Sequence, residues 1–473
     1  MKRNNSVIGN LSVAFIANIV GLLGSTIITF LLPRFIGVTQ YSYYQLYVFY
    51  ASYVGFFGLG WLEGLYLRYG GCYYEKLDKG LLSAQFYAFS LVEFVFTILL
   101  ISITAIKISG SKAYVLIMFA LCIVIYLPRA LLHNILQTTG RIKEYATGLI
   151  IDKSIHILLT IVLIMLKSSR FEYFTLSELF GRVCGGIYIF IVCKDIIHAE
   201  HKYNVELNTL LKEIKVNVSV GVPLMLANVA SMLVVGIIRQ MIEIAWDVET
   251  FGKVSLTLTI SNLLMTFINS VALVLFPMLK RMSTDKLKSF YSTLRGAIMF
   301  PLLGVLITYY PIRVVLSAWL PKYAESLKYM ALLFPMCIFE CKMSLILNTY
   351  LKALRNERLL LKINVIAVLI SALLGYFSCF CLKNLDTAIL SIVVVLAARS
   401  IYAEHFITNR LGLTALRENL SEILLSVVFI ISSWVVGGIP GTSIYSLTFI
   451  VYIVFNRNRI TEIIDASKKM LTH

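Results

Sequence analysis

Charged side chains inside long apolar runs are the first candidates for chemistry in this chain, because such runs tolerate few of them. Glu93, Arg182, Glu340 and Lys342 fall near the middle of such runs. Arg129 and Arg399 lie toward one end of theirs, and Arg34, Arg239 and Arg313 toward the other. An arginine stays protonated, so one set in an apolar layer needs an anion, a counter-charge or water. Guanidinium groups also grip phosphates through paired donors. Arg34, Arg129, Arg182, Arg239 and Arg399 together therefore point to a basic cavity for an anionic, phosphate-bearing substrate. The plainer reading is pairing within a helix: Glu178 with Arg182, and Arg239 with Glu243, stand one turn apart. Glu93 and Glu340 read as proton or cation relays, or as counter-charges. Tyr43, Tyr47 and Tyr50 share one helix face. Tyr50 and Tyr53 lie deep enough to line a cavity and stack on sugar rings, whereas an interfacial aromatic belt accounts for Tyr41, Tyr43 and Tyr44.

No catalytic constellation accompanies these residues. The sequence has no phosphate-binding glycine loop, no HExxH and no serine elbow. The eight cysteines lack the spacing of a zinc or redox site, and buried thiols behave as small hydrophobes. The expectation is a non-enzyme needing neither cofactor nor metal.

The elements that position these residues are membrane helices. Hydrophobic residues make up 59% of the 473 and charged residues only 14%, against about 25% in a soluble domain. A hydrocarbon core of roughly 30 Å takes about 20 apolar residues as helix. About fourteen stretches qualify on that measure: 7–32, 41–66, 81–106, 113–137, 146–166, 174–197, 216–242, 252–279, 296–320, 326–351, 361–382, 385–407, 420–437 and 439–455. Lipid offers the backbone no hydrogen bonds, so each is a helix. Lys2 and Arg3 precede an apolar run with no small-x-small cleavage site before Pro33, which reads as a retained first helix.

The net charge of +17 invites a nucleic-acid partner, but its distribution argues otherwise. With the N-terminus in the cytoplasm, most Lys and Arg fall in inner loops and tails, Arg295 among them. Outer loops keep a minority such as Lys107, Lys253, Lys322 and Lys383. That is the positive-inside bias, and it places both termini in the cytoplasm.

The polar stretch 198–215 divides the chain. The organisation read from it is an N-terminal six-helix bundle (1–197), a cytoplasmic linker (198–215), a C-terminal six-helix bundle of like orientation (216–407), an appended helix pair (408–455) and a basic cytoplasmic tail (456–473). The tail is amphipathic, suited to the anionic inner leaflet or to fraying.

Several short motifs stand in order along residues 1–410. They are Pro33-Arg34-Phe35-Ile36-Gly37 before Tyr41, Phe57-Gly58-Leu59-Gly60, Leu67-Arg68-Tyr69-Gly70 and Gly221-Val222-Pro223-Leu224. Phe276-Pro277-Met278-Leu279-Lys280-Arg281 and Ser317-Ala318-Trp319-Leu320-Pro321-Lys322-Tyr323-Ala324 follow. Together they resemble the polysaccharide flippases, the O-antigen (Wzx-type) branch of the multidrug/oligosaccharidyl-lipid/polysaccharide exporter superfamily. Two departures stand out: Ser42 replaces a family glycine, and Ile238 stands where members often carry an aspartate before the arginine. The resemblance implies a flippase in the bacterial inner membrane, serving lipopolysaccharide or similar polysaccharide synthesis. It would carry an undecaprenyl-pyrophosphate-linked oligosaccharide to the periplasmic leaflet by alternating access, near the polysaccharide polymerase machinery. The alternatives are a related exporter of drugs or of another lipid-linked precursor, and an O-antigen polymerase or ligase. Polymerases and ligases of that kind have a large periplasmic loop, and every outer loop here is short.

Overall fold

A computed structural model describes residues 20–199, 205–263, 284–354 and 356–471. The protein is an all-α polytopic membrane protein, and the described residues contain no strand. Ten helices are long and apolar enough to cross a bilayer, with an eleventh span if one bent pair counts as one. Of the other expected spans, the first and eighth run beyond the described residues, and the second is broken midway.

The chain falls into two compact units, Met1–Val229 and Ala230–His473. The first contains α1 (Val20–Phe35), α2 (Val38–Ser52), α3 (Trp61–Tyr69), α4 (Lys79–Lys107), α5 (Gly110–Thr138), α6 (Ile142–Met165), α7 (Phe171–Val192) and the short α8 (Lys194–Ile197). Helix α9 (Leu207–Ala245) starts in the first unit and ends in the second.

Within the first unit α5 is the central helix. Its most apolar stretch is 67% buried, against 22% for α4 and α6. Leu91, Phe94, Val95, Leu99 and Ile106 of α4 stay exposed, the face a membrane helix gives to lipid. Polar groups carried inward by α5 therefore meet protein rather than lipid.

The break in the second expected span follows from one of the quoted motifs. Leu59 (φ 50°) and Gly60 (φ 79°) both adopt left-handed backbone conformations, ending a 3-10 turn and restarting the chain as α3. The restart lays α3 against the first half of α9. A Cβ on Gly60 would lie 2.6 Å from the Val222 nitrogen, one on Gly64 would collide with the Asn217 carbonyl, and one on Gly221 with the Gly60 carbonyl. Glycines at all three positions let the two backbones touch, as in other close membrane-helix crossings. Arg68 then donates to Glu213 (2.6 Å) and Asn217 (2.5 Å), and Gln85 accepts from both Trp61 (3.1 Å) and Asn217 (2.7 Å). Two motifs more than 150 residues apart in sequence are thus one packing site.

The second unit continues with α10 (248–263), α11 (Thr284–Val305) and α12 (Tyr309–Trp319). Span ten is the bent pair, Ser326–Leu333 and Met336–Lys352, turned by 47° at Phe334-Pro335. It comprises α13 (Met330–Leu333), α14 (Met336–Cys341), a π-helical stretch Lys342–Leu347 and α15 (Asn348–Ala353). Then come α16 (Glu357–Tyr376), α17 (Leu385–Leu411), α18 (Leu416–Ile430), α19 (Gly438–Phe455) and α20 (Arg457–Leu471). Helix α20 is the amphipathic tail. It packs on α11, where a Cβ on Gly296 would overlap the Ile463 side chain, and Arg459 pairs with Glu418 at 2.6 Å.

Gly221→Val should lower the folded stability by roughly 1–3 kcal/mol, the usual penalty of overpacking, because the colliding atom is backbone. Gly21→Ala, where a Cβ meets nothing within 4 Å, should leave the melting temperature of the purified protein unchanged or slightly raised. Equal melting temperatures for the two variants would refute the α3–α9 contact.

Candidate functional site

Helices α5, α6 and α7 gather the charges of the first unit. Gly181 and Gly185 of α7 bring it against α6, where a Cβ on either would lie 2.6 Å from the Asp152 carbonyl or 2.9 Å from that of Gly148. The same glycine row leaves room for the Arg129 side chain, whose Nη1 would be 3.2 Å from a Cβ on Gly185. Arg129 reaches across to pair with Asp152 at 2.9 Å and to donate to the Arg182 carbonyl at 3.0 Å. Arg182 donates to Glu178 at 2.5 Å, the one-turn pair its spacing predicts, and to the Cys122 sulfur of α5 at 2.5 Å. Both guanidinium groups approach the Tyr126 ring, Arg182 at 5.3 Å from its centroid and Arg129 at 5.8 Å. His156 on α6 shares a hydrogen bond of 3.1 Å with Ser177 of α7. Two arginines and two carboxylates thus make a buried cluster with no net charge.

The other candidates of this unit stand apart from these pairs. Arg34 is exposed at the end of α1. Tyr50 and Tyr53 are half-buried in an aromatic group, Tyr50 packing 6.0 Å from Phe119 and Tyr53 edge-on to Phe49 at 5.3 Å. Glu93 is fully buried on α4, and neither carboxylate oxygen has a hydrogen-bond partner.

At one end of the unit, Asp195 of α8 joins three connections. It pairs with Lys79 at 2.7 Å and accepts from the Tyr74 hydroxyl at 2.8 Å, while Arg141 sits 4.5 Å over the Tyr74 ring. Burial pushes the Asp195 carboxyl up, but the hydrogen bonds from Lys79 and Tyr74 outweigh it and hold the group below the ordinary aspartate range.

In the second unit, two predicted residues meet. Arg399 of α17 contacts Glu340 of α14 at 3.4 Å and donates to Ser231 of α9 at 2.9 Å. Arg239 of α9 donates to Ser255 of α10 at 2.9 Å and lies 5.3 Å over the Phe251 ring. Ile238 is fully buried and packs on Gly375 of α16.

The densest charge constellation of this unit was largely missed by the sequence reading. Lys342, on the π-helical stretch, donates to Glu422 and Asn419 (both 2.7 Å) and to Glu404 (2.9 Å). Arg295 of α11 donates to Glu404 (2.5 Å) and Glu422 (2.6 Å), and the Tyr291 hydroxyl donates to Glu404 (2.7 Å). No side chain of the four charged groups is more than 6% exposed. Arg295, placed in an inner loop from sequence, is instead a buried helix residue, because α11 begins by Thr284 and turns this face inward. The signal for Glu404 and Glu422 was weak. Both lie near the ends of apolar runs, where a carboxylate usually reaches water.

No protein-family model matches the chain, and no curated protein does. Solved structures do. An inward-facing multidrug resistance MATE family transporter of the MOP superfamily superposes with a TM-score of 0.63 at 12% identity, covering 86% of this chain and 98% of that one. The lipid II flippase MurJ, in an inward closed conformation, also gives 0.63, at 16% identity, covering 96% of this chain and all of that one. The protein therefore has the fold of the MOP-superfamily transporters, over the full length of a lipid flippase as well as of a drug exporter.

Lys342→Met leaves one guanidinium facing two carboxylates and should cost about 3–5 kcal/mol, seen as lost thermal stability in detergent. Adding Glu404→Gln restores neutrality around Arg295 and Glu422 and should recover much of that loss. A double variant no more stable than the single one would remove charge balance as the explanation.

Proposed function

We propose that this chain is a flippase carrying an undecaprenyl-pyrophosphate-linked oligosaccharide repeat, of the O-antigen or a similar surface polysaccharide, from the cytoplasmic to the periplasmic leaflet. The observation that carries the reading is a fold shared with a lipid-linked-precursor flippase and furnished in both units with arginines at membrane depth. Alternating access is the mechanism. Arg182 and Arg129 in the first unit, and Arg239 and Arg399 in the second, offer the paired donors a pyrophosphate needs. Their charges are compensated or hydroxyl-bonded in this conformation, so the substrate takes the place of Glu178 or Glu340 at a guanidinium. That exchange avoids leaving a bare cation in the membrane between cycles. Arg34 receives the headgroup at the outer end, and Tyr50 and Tyr53 offer apolar faces to sugar rings. Glu93, buried without a hydrogen-bond partner, and Glu340 are the groups proposed to carry a coupling proton or cation. Outward movement of a negative headgroup gains about 2.3 kcal/mol per charge per 100 mV of inside-negative potential.

The short connections at the outer end, such as 108–109, 166–170 and 382–384, favour this reading over a polymerase or ligase. A drug exporter has the same fold, but arginine-lined depth suits an anion better than the cations such exporters usually take.

The test is complementation of a strain lacking the protein, with the sidedness of its lipid-linked sugars as readout. Sugars trapped on the cytoplasmic leaflet and released by the intact chain support the flippase. Unpolymerised repeats collecting on the outer leaflet would point to the polymerase instead. Arg239→Ala and Arg182→Ala should abolish surface polymer at normal protein levels, with Arg239→Lys keeping part of it. Full polymer from both alanine variants would exclude the arginines from substrate handling.

A further inference from the structure

A second polar feature of the second unit lies apart from the arginines. A cavity of about 180 Å³ opens at the end where α10 begins, where the turn after α12 leads into α13, and where α17 starts. Its polar lining is Thr250, Lys253, Lys322, Glu325, Ser326 and Tyr329. Charge distribution assigns this end to the outside. Lys253 and Lys322 share this small cavity with Glu325, and among the described residues neither lysine is within ion-pair distance of a carboxylate. Two ammonium groups against the one lining carboxylate, with the hydroxyls of Thr250, Ser326 and Tyr329 in the same wall, favour an oxyanion. The volume is below the roughly 300–1,000 Å³ that encloses a drug-sized ligand, so the cavity admits one group of a larger substrate.

We infer that this cavity is an exit subsite for the pyrophosphate group of the lipid-linked substrate on the outer side, held by Lys253 and Lys322 through their ammonium groups. The assignment of the group rests on the flippase reading; the oxyanion preference rests on the cavity alone. Glu325 keeps the site weak. Its carboxylate cancels part of the attraction, so a delivered headgroup is released rather than retained. Tyr329 is the link to a measurable signal, because its ring stacks on Trp434 at 5.7 Å, and the Lys328 ammonium lies 4.3 Å from the Trp434 ring centroid.

The experiment titrates the purified full chain, in nanodiscs of zwitterionic lipid, with inorganic pyrophosphate and in parallel with a short-chain prenyl pyrophosphate. Tryptophan fluorescence is followed, and Trp434→Phe identifies the responding ring. Saturable binding weakened at least tenfold in the Lys253→Ala/Lys322→Ala variant, kept by Lys322→Arg and tightened by Glu325→Gln is expected. No saturable binding, or equal binding by the double alanine variant, would overturn the site. Tighter binding of the prenyl compound supports a lipid-linked source, and equal affinity for both would reassign the site to free pyrophosphate. A chain that binds pyrophosphate here but fails to move lipid-linked sugars in the complementation test would sink the flippase reading and leave the anion site standing. One that moves them without binding here would do the reverse.

Discussion

Charge neutrality within a dry interior governs the second unit. Arg295, Lys342, Glu404 and Glu422 come from α11, span ten, α17 and α18, and none of the four reaches solvent to any useful extent. Removing any one would leave a net charge in low dielectric, which is far costlier than losing a hydrogen bond. The four helices must therefore fold as one arrangement. The last helix pair is bound into the unit by the same constraint, through Glu422 and Asn419 of α18. Tyr310 and Tyr445 add to it, the first bonding Ser432 and the Gly441 carbonyl, the second the Leu303 carbonyl.

The first unit solves the same problem in separate pairs. Arg129 with Asp152 and Arg182 with Glu178 are neutral two by two, and glycines on α7 make the space for them. Paired charges of this kind are suited to exchange. A guanidinium that lets go of its carboxylate can take a phosphate, while a four-way network holds each member by two or more partners. The geometry thus separates a unit with two-membered ion pairs from one with a four-way charged core, and Arg239 and Arg399 lie outside that core.

Close backbone approach is the other recurrent device. Glycines 60, 64 and 221 let α3 and α9 touch, and Arg68 with Gln85 fastens the crossing through polar bonds. Membrane helices gain little from burying apolar surface against one another, since lipid is equally apolar. Contact and hydrogen bonding must hold them together instead.

The all-helical membrane architecture was legible from the sequence because it follows from apolar length and from the absence of backbone partners in lipid. Rare mid-span charges such as Arg182, Glu93 and Lys342 were legible for the same reason, and so was the Glu178–Arg182 pair, whose partners stand one helical turn apart. Pairing across helices was not. Asp152 meets Arg129, Glu340 meets Arg399, and Lys342 meets Glu404 and Glu422 only because distant segments are packed side by side, and sequence spacing holds no record of that distance. Arg295, Glu404 and Glu422 sit near span ends, where one-dimensional reading sends a charge to water. The tertiary structure turned them inward, because four charges that neutralise one another can share a dry interior that none of them could occupy alone.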